Sequence, residues 1–310
     1  MQATRIRIGT RGSPLALAQA HEVKERLVAA HGLPEVAVTI NVIKTTGDRV
    51  LDRPLSEIGG KGLFTKEIEE ALLAKEIDVA VHSMKDMQTV LPDGLVIEAV
   101  LPREDPRDAF ISLRHADFGA LPLNAVVGTS SLRRKAQILN ARPDLRVVDF
   151  RGNVQTRLRK LEDGVAEATF LAVAGLKRLG LQDRVTAPVS IDHMLPAVAQ
   201  GVIGLEIREG DETTAALIAP LNDAVTALAV TAERAFLVRL EGSCRTPIAG
   251  YAAIEDGRLN FRGQILSPDG LKGYDVFRDG AVEHARDLGL AAADEILNKA
   301  DAALLVRSNV

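Results

Sequence analysis

His82-Ser83-Met84-Lys85-Asp86 sets histidine, serine, lysine and aspartate side chains within one short stretch. It follows Ile77–Val81, an apolar run that reads as a short buried strand, and strand ends are where α/β sheets present functional groups. Asp86 has the chemistry of a general acid/base, and Lys85 that of an anion contact or a partner lowering the carboxyl pKa. The same residues also suit a structural role, with Ser83 and Asp86 capping or opening a short helix and His82 a satisfied core histidine. The single cysteine, Cys244, lies in Gly242-Ser243-Cys244-Arg245, a loop past a helix rather than an apolar run. A neighbouring arginine favours thiolate, so a nucleophile or covalent attachment point stands beside the reading of a small inert side chain. None of the 6 histidines is marked as its base. Gly59-Gly60-Lys61-Gly62-Leu63-Phe64 surrounds one lysine with glycines but lacks the Walker spacing. It reads as a mobile lid carrying one cation, or as a plain surface turn. No dinucleotide fingerprint and no metal-ligand spacing occurs, so no metal is expected.

Lys+Arg number 38 against 42 Asp+Glu, a net charge of −4 that argues against a general nucleic-acid binder. The balance is uneven along the chain. Between Leu121 and Val185, 12 basic residues face 6 acidic ones, and 9 of the 12 are arginines. Arginine's planar fork fits carboxylate or phosphate bidentately, so an anionic small molecule competes here with the reading of a solvated basic face. The aromatics of this stretch, Phe150 and Phe170, sit in apolar strand-like runs and offer no stacking platform for bases.

The elements that must carry these groups alternate between strand and helix. Arg5–Gly9 reads as a strand, Ser13 as an N-cap with Pro14 at the first helical position, and the helix runs to about Ala30. Glu35–Lys44 is predicted as a strand and Phe64–Lys75 as a helix with Phe64, Ile68, Ala71 and Leu72 on one face. A second series follows: strand Ala125–Gly128, helix Leu132–Ala141, strand Leu145–Phe150, helix Val154–Leu161 and strand Thr169–Ala174. The two series open alike, with Gly9-Thr10 and Ser13 in one, Gly128-Thr129 and Ser131 in the other. Each such turn points unpaired backbone N–H groups outward and makes an anion site. Leu101–Pro106 reads as a connector, and strand Val202–Ile207 as a return to the first lobe. A long helix over Asn222–Leu240, stopped by Gly242, precedes strands near Ile248–Ile254 and Leu259–Leu266 and a helix from Val282 to about Lys299.

The expected fold is therefore α/β: two periplasmic-binding-protein-like lobes facing a cleft, plus a small α+β C-terminal domain. Lobe 1 is expected over 1–100 and 201–219, arginine-rich lobe 2 over 105–195, and the α+β domain over 221–310. With 310 residues, 46% hydrophobic and 26% charged, the chain has globular proportions, and one cysteine excludes an internal disulfide framework. Its N-terminus shows no apolar stretch of the signal-peptide kind, so the expected location is cytoplasmic.

Taken together the motifs resemble the porphobilinogen deaminase (hydroxymethylbilane synthase) family along nearly the whole chain. The residues that carry the resemblance begin with Gly9-Thr10-Arg11-Gly12-Ser13-Pro14-Leu15-Ala16, Gly59 to Phe64, His82 to Asp86 and Arg103-Glu104-Asp105-Pro106-Arg107-Asp108. They continue through Gly128-Thr129-Ser130-Ser131-Leu132-Arg133-Arg134, Arg151-Gly152-Asn153-Val154, Ala174-Gly175-Leu176-Lys177-Arg178-Leu179-Gly180, the Cys244 loop and Pro247-Ile248. The chain departs from the family pattern at Gln88, where proline is usual, and at Arg245-Thr246, a bulkier and more charged pair after the cysteine.

The resemblance implies a transferase of porphyrin and heme biosynthesis that joins four porphobilinogen units head to tail with loss of ammonia and releases the linear tetrapyrrole hydroxymethylbilane. It implies a dipyrromethane cofactor held by a thioether to Cys244, and Asp86 as the catalytic carboxylate that stabilises pyrrole cations and shuttles a proton. Ser83, Lys85, Asp86, Thr129, Ser131, Arg133 and Arg134 match cofactor-holding positions. Arg11, Ser13, Arg151, Arg157 and Arg178 match positions that bind substrate or the growing chain, and Lys61 and Phe64 match a loop over the cleft. Each pyrrole carries an acetate and a propionate, which gives the arginine-rich segment a polyanion to neutralise. The expected partner is porphobilinogen, with neither nucleic acid nor membrane, and the expected state is a monomer. The alternative is a two-lobed binding protein for a small polycarboxylate or other anion, with a reversible ligand and an unmodified Cys244. A cysteine-dependent transferase or hydrolase is a third reading, and it requires an essential histidine near Cys244.

Overall fold

Strand β1 (Ile6–Arg11) buries Ile6 and Ile8 and runs straight into helix α1 (Pro14–His31). The structure is a computed structural model that describes residues 5–49, 62–240, 247–300 and 304. The cap read from the sequence is present: Ser13 Oγ accepts the Ala16 N–H at 3.3 Å, and Pro14 stands where no N–H is needed. The buried stripe of α1 is Gln19, Ala20, Val23 and Leu27. The chain divides into two compact units, Met1–Arg103 with Val202–Ala227, and Glu104–Gly201 with Leu228–Val310.

The first unit is built on a five-stranded sheet ordered β2 (Val38–Ile43), β1, β3 (Val79–Ser83), β10 (Ile203–Arg208), β4 (Leu95–Val100). β1 is parallel to β2 and β3, whereas β10 runs antiparallel to both of its neighbours. The return of the chain expected after residue 200 is thus a strand inserted between two earlier ones. Helix α2 (Lys66–Leu73) buries Ile68, Ala71 and Leu72, starting two residues later than the spacing predicts. Helix α6 (Glu212–Ile218), which follows β10 and is capped by the Asp211 side chain, has no counterpart in the sequence reading.

The second unit repeats this plan: β7 (Arg146–Val148), β6 (Val126–Gly128), β8 (Ala168–Ala172), β5 (Asp108–Ser112), β9 (Ala187–Pro188). β6 is parallel to β7 and β8, and β5 is antiparallel to β8 and β9. Helices α3 (Leu132–Ala141) and α4 (Val154–Glu162) follow β6 and β7. The strand expected to reach Ala174 stops at Ala172, because Val173–Arg178 closes into helix α5. The same unit holds a three-stranded antiparallel sheet, β11 (Ile248–Glu255), β12 (Arg258–Leu266) and β13 (Gly273–Ala281), covered by α8 (Ala285–Lys299). Helix α7 (Ala224–Arg239) contributes Phe236, whose ring lies 4.9 Å from that of Phe261 in the core of this sheet. Gly242, the expected stop of α7, lies outside the described residues. β13 escaped the sequence reading because Asp275, Arg278 and Asp279 break its alternation and Phe277 stands 57% exposed.

One buried charge cluster holds the second unit together. Asp108, the first residue of β5, is wholly buried and accepts from Arg133 Nη2 at 2.7 Å, Arg134 Nη2 at 2.6 Å and Gln200 Nε2 at 3.0 Å. Arg134 Nε adds a bond to Asp108 at 3.2 Å, and the two Nη1 groups reach carbonyls, Arg133 to Leu195 at 2.7 Å and Arg134 to Phe170 at 2.9 Å. Burial alone would raise the Asp108 pKa, but the two guanidiniums outweigh it and hold the carboxyl far below the ordinary carboxylate range. Because the folded pKa is depressed, this contribution to stability is complete above about pH 4 and is lost as the pH falls below that. Asp108→Asn strands two buried guanidiniums and is expected to cost about 3–5 kcal/mol in urea unfolding at neutral pH. A change below about 1 kcal/mol would show that the arginines find other partners.

Candidate active site

Asp86 is fixed by its neighbours rather than by bonds of its own. After β3 the residues Met84–Asp86 form a single 3-10 turn, so the helical alternative is realised in its shortest form. The Met84 N–H bonds to the Val202 carbonyl at 3.0 Å. The Met84 side chain is buried over Gly204, where an added β-carbon would lie only 2.1 Å from Sδ. Met87 is buried on the far side of the turn. Between these two anchors Asp86 is exposed, and its carboxylate makes no hydrogen bond or ion pair among the described residues.

Around it stand groups from β1, α1 and the approach to α2. Ser83 Oγ does not cap the turn; it is matched with the Gln19 carboxamide, 2.8 Å from Nε2 and 3.1 Å from Oε1. The Arg11 guanidinium lies over the Phe64 ring at 4.1 Å, a cation–π contact. Arg11, Ser13, Phe64, Ser83 and Asp86 line one pocket together with Gln19 and His82. Lys85 is half-buried on the same turn as Asp86. His82 is a buried histidine, with Nε2 at 2.9 Å from Glu206 Oε2. The second Glu206 oxygen has no hydrogen-bond partner among the described residues. Lys61 and Cys244 lie outside the described residues.

The second unit presents its own set. Ser131 caps α3 by accepting the Arg134 N–H at 3.4 Å, and Thr129 Oγ1 accepts the Ser131 N–H at 3.2 Å. The turn thus gathers Thr129, Ser131, Arg133 and Arg134 at one helix start, where the helix dipole adds to the positive field. Arg133 and Arg134 are buried on Asp108 and leave the cluster a net single positive charge. Arg133 Nε is a buried donor with no partner among the described residues. Arg151 donates from Nε to Asp149 at 2.8 Å, Arg157 from Nε to the Gly152 carbonyl at 2.8 Å, and Arg178 from Nη2 to the Gly201 carbonyl at 3.1 Å. Partial burial opposes ionisation of Asp149, but hydrogen bonds from Ser130 and Arg151 hold its carboxyl below the ordinary range. Arg142 and Arg184 are tied to Asp144 and Glu162, acids of the same stretch.

Three residues of this arrangement went unread in the sequence. Gln19 was a polar residue on the apolar stripe of α1, and Glu206 a charge within the apolar run Val202–Ile207. Asp108 was visible only as the last residue of the Arg103–Asp108 motif, with no role read for it. Among the described residues no group of three or more His, Cys, Asp or Glu side chains is arranged to hold a metal ion.

The family model "Porphobilinogen deaminase, dipyromethane cofactor binding domain" matches residues 6–216, and "Porphobilinogen deaminase, C-terminal domain" matches residues 227–298. A porphobilinogen deaminase of Paracoccus denitrificans is 62% identical over 297 residues, 96% of this chain and 95% of that protein. A chloroplastic porphobilinogen deaminase of Pisum sativum is 56% identical over 301 residues, 95% of this chain and 82% of that protein. Among solved structures, a periplasmic substrate-binding protein of an ABC transporter from Coxiella burnetii is similar at TM-score 0.43 and 14% identity, over 72% of this chain and 94% of that one. With the two family models spanning both units and the identity sustained across nearly the full length, the chain belongs to the porphobilinogen deaminase family.

Proposed function

We propose that Asp86 is the carboxylate that carries the deaminase reaction, and the observation behind it is that this anion is exposed on a rigid turn with no bond to another described group. The chain is a transferase of porphyrin biosynthesis acting on porphobilinogen, and membership of the family favours this over a reversible anion-binding protein. Loss of ammonia from porphobilinogen leaves positive charge on the pyrrole nitrogen. A fixed, unpaired carboxylate stabilises that charge and moves the proton that ammonia departure requires. Arg11, held flat by Phe64, and the start of α1 at Ser13 take a carboxylate arm of the substrate. Arg151, Arg157 and Arg178 take carboxylates of the growing chain through their planar guanidiniums. Lys61 belongs with Phe64 in this role.

The side chains at the start of α3 fit a dipyrromethane with acidic arms. The Asp108 cluster carries a net positive charge, and Arg133 Nε is a buried donor awaiting an acceptor. Thr129, Ser131, Arg133 and Arg134 would hold it there, with Ser83 and Lys85 as further contacts. Bound by a thioether to Cys244, it would supply the free pyrrole carbon onto which the first unit is joined. A single cysteine that needs no disulfide suits a reducing compartment, and we assign the protein to the cytoplasm as a monomer.

Asp86→Asn is expected to lower tetrapyrrole formation by about 10²–10⁴-fold with the urea midpoint unchanged. Normal turnover in that variant would remove the role. Intact mass spectrometry after incubation with porphobilinogen should show an adduct of two deaminated units on the wild type and none on Cys244→Ser. No adduct on either protein would sink the tethered-cofactor reading. Arg133→Leu leaves Asp108 paired with Arg134, so the fold should survive while the adduct is lost; a fully loaded variant would count against the assignment of Arg133.

A further inference from the structure

Gln88 stands two residues beyond Asp86, where the family usually has proline, and its side chain is fully employed. Nε2 donates to Thr65 Oγ1 at 3.2 Å and faces both carboxylate oxygens of Glu69 at 3.4 Å. The same amide covers Gly62: a β-carbon there would lie 2.6 Å from Nε2, and the φ of +77° already favours glycine. Gly62 closes a turn into α2, its carbonyl accepting the Thr65 N–H at 3.0 Å and the Lys66 N–H at 2.9 Å. Phe64 sits inside that turn, with its ring under the Arg11 guanidinium.

The contacts therefore run without a gap from the Asp86 turn, through Gln88, to the turn that carries Phe64, and on to Arg11. Burial pushes the Glu69 carboxyl up, with Glu206 adding to the shift while Thr65, His82 and Gln88 act against it. A carboxamide suits such a neighbour, since it donates to a carboxylate and accepts from a carboxylic acid. Proline offers neither group.

We propose that Gln88 is a positioning residue, tying the turn that bears Asp86 to the turn that bears Phe64 so that the carboxylate and the Arg11–Phe64 pair keep one spacing. The inference rests on the role given above to Asp86. The test uses the holoenzyme and its Gln88→Ala and Gln88→Glu variants, with porphobilinogen as substrate. The ionised carboxylate of Gln88→Glu repels Glu69, whereas its protonated form donates one O–H and restores the tie. Both variants should turn over roughly tenfold more slowly at pH 8, and Gln88→Glu alone should recover toward pH 6, with adduct mass and urea midpoint close to wild type. Hydrogen exchange at the Thr65 and Lys66 amides should quicken about tenfold in Gln88→Ala. Wild-type exchange at those amides, or a loss of turnover in Gln88→Glu that ignores pH, would overturn the proposal. An inactive wild type would instead defeat the reading of Asp86, and the exchange rates would still decide whether Gln88 makes the tie.

Discussion

Asp108 has no access to water, and its carboxylate stays ionised only because Arg133 and Arg134 both donate to it. Such a cluster is held in place by its own cost: remove Asp108 and both guanidiniums are left as uncompensated buried charge. It therefore fixes the first residue of β5, the first turn of α3 and, through Gln200, the chain just before it leaves the second unit. Gln200 also donates to the Pro106 carbonyl at 2.8 Å, so the entering and leaving segments of this unit meet at one side chain. Glu233 does comparable service in the same unit, accepting the Ala199 N–H at 2.5 Å and the Ala252 N–H at 2.8 Å from α7.

The contrast with Asp86 is the chemical lesson of the molecule. Asp108, Glu206 and Glu233 are buried and spend their charge on structure. Asp86 is exposed and spends none, because hydrophobic anchoring at Met84 and Met87 does the positioning. Keeping geometry and charge on different residues leaves the carboxylate's full field for a bound cation.

Local signals in the sequence carried the elements and the placement of Asp86. Ser13-Pro14 and Ser131 state their helix starts outright, and the apolar run before His82 states that a strand ends there. What stayed hidden was pairing between distant residues. Glu206 lies 124 positions from His82, and Asp108 lies 25 from Arg133, and no periodicity encodes either partner. Gln88 was visible as a departure, but its partners Thr65 and Glu69 come from another element. The likeness of the two strand–helix openings was short in sequence, yet both sheets share one order and one pattern of parallel and antiparallel neighbours.

In each sheet the antiparallel strand beside the parallel trio is the one that follows a crossover: β5 after the chain enters the second unit, β10 after it comes back. The consequence falls on the order of assembly at the ribosome. The strands of the second sheet are all present once Pro188 has been made, whereas β3 and β4 must wait for Ile203–Arg208 before they acquire a common neighbour. The first sheet is therefore begun before the second and completed after it, with two strand edges waiting unpaired while roughly a hundred residues of the other unit emerge.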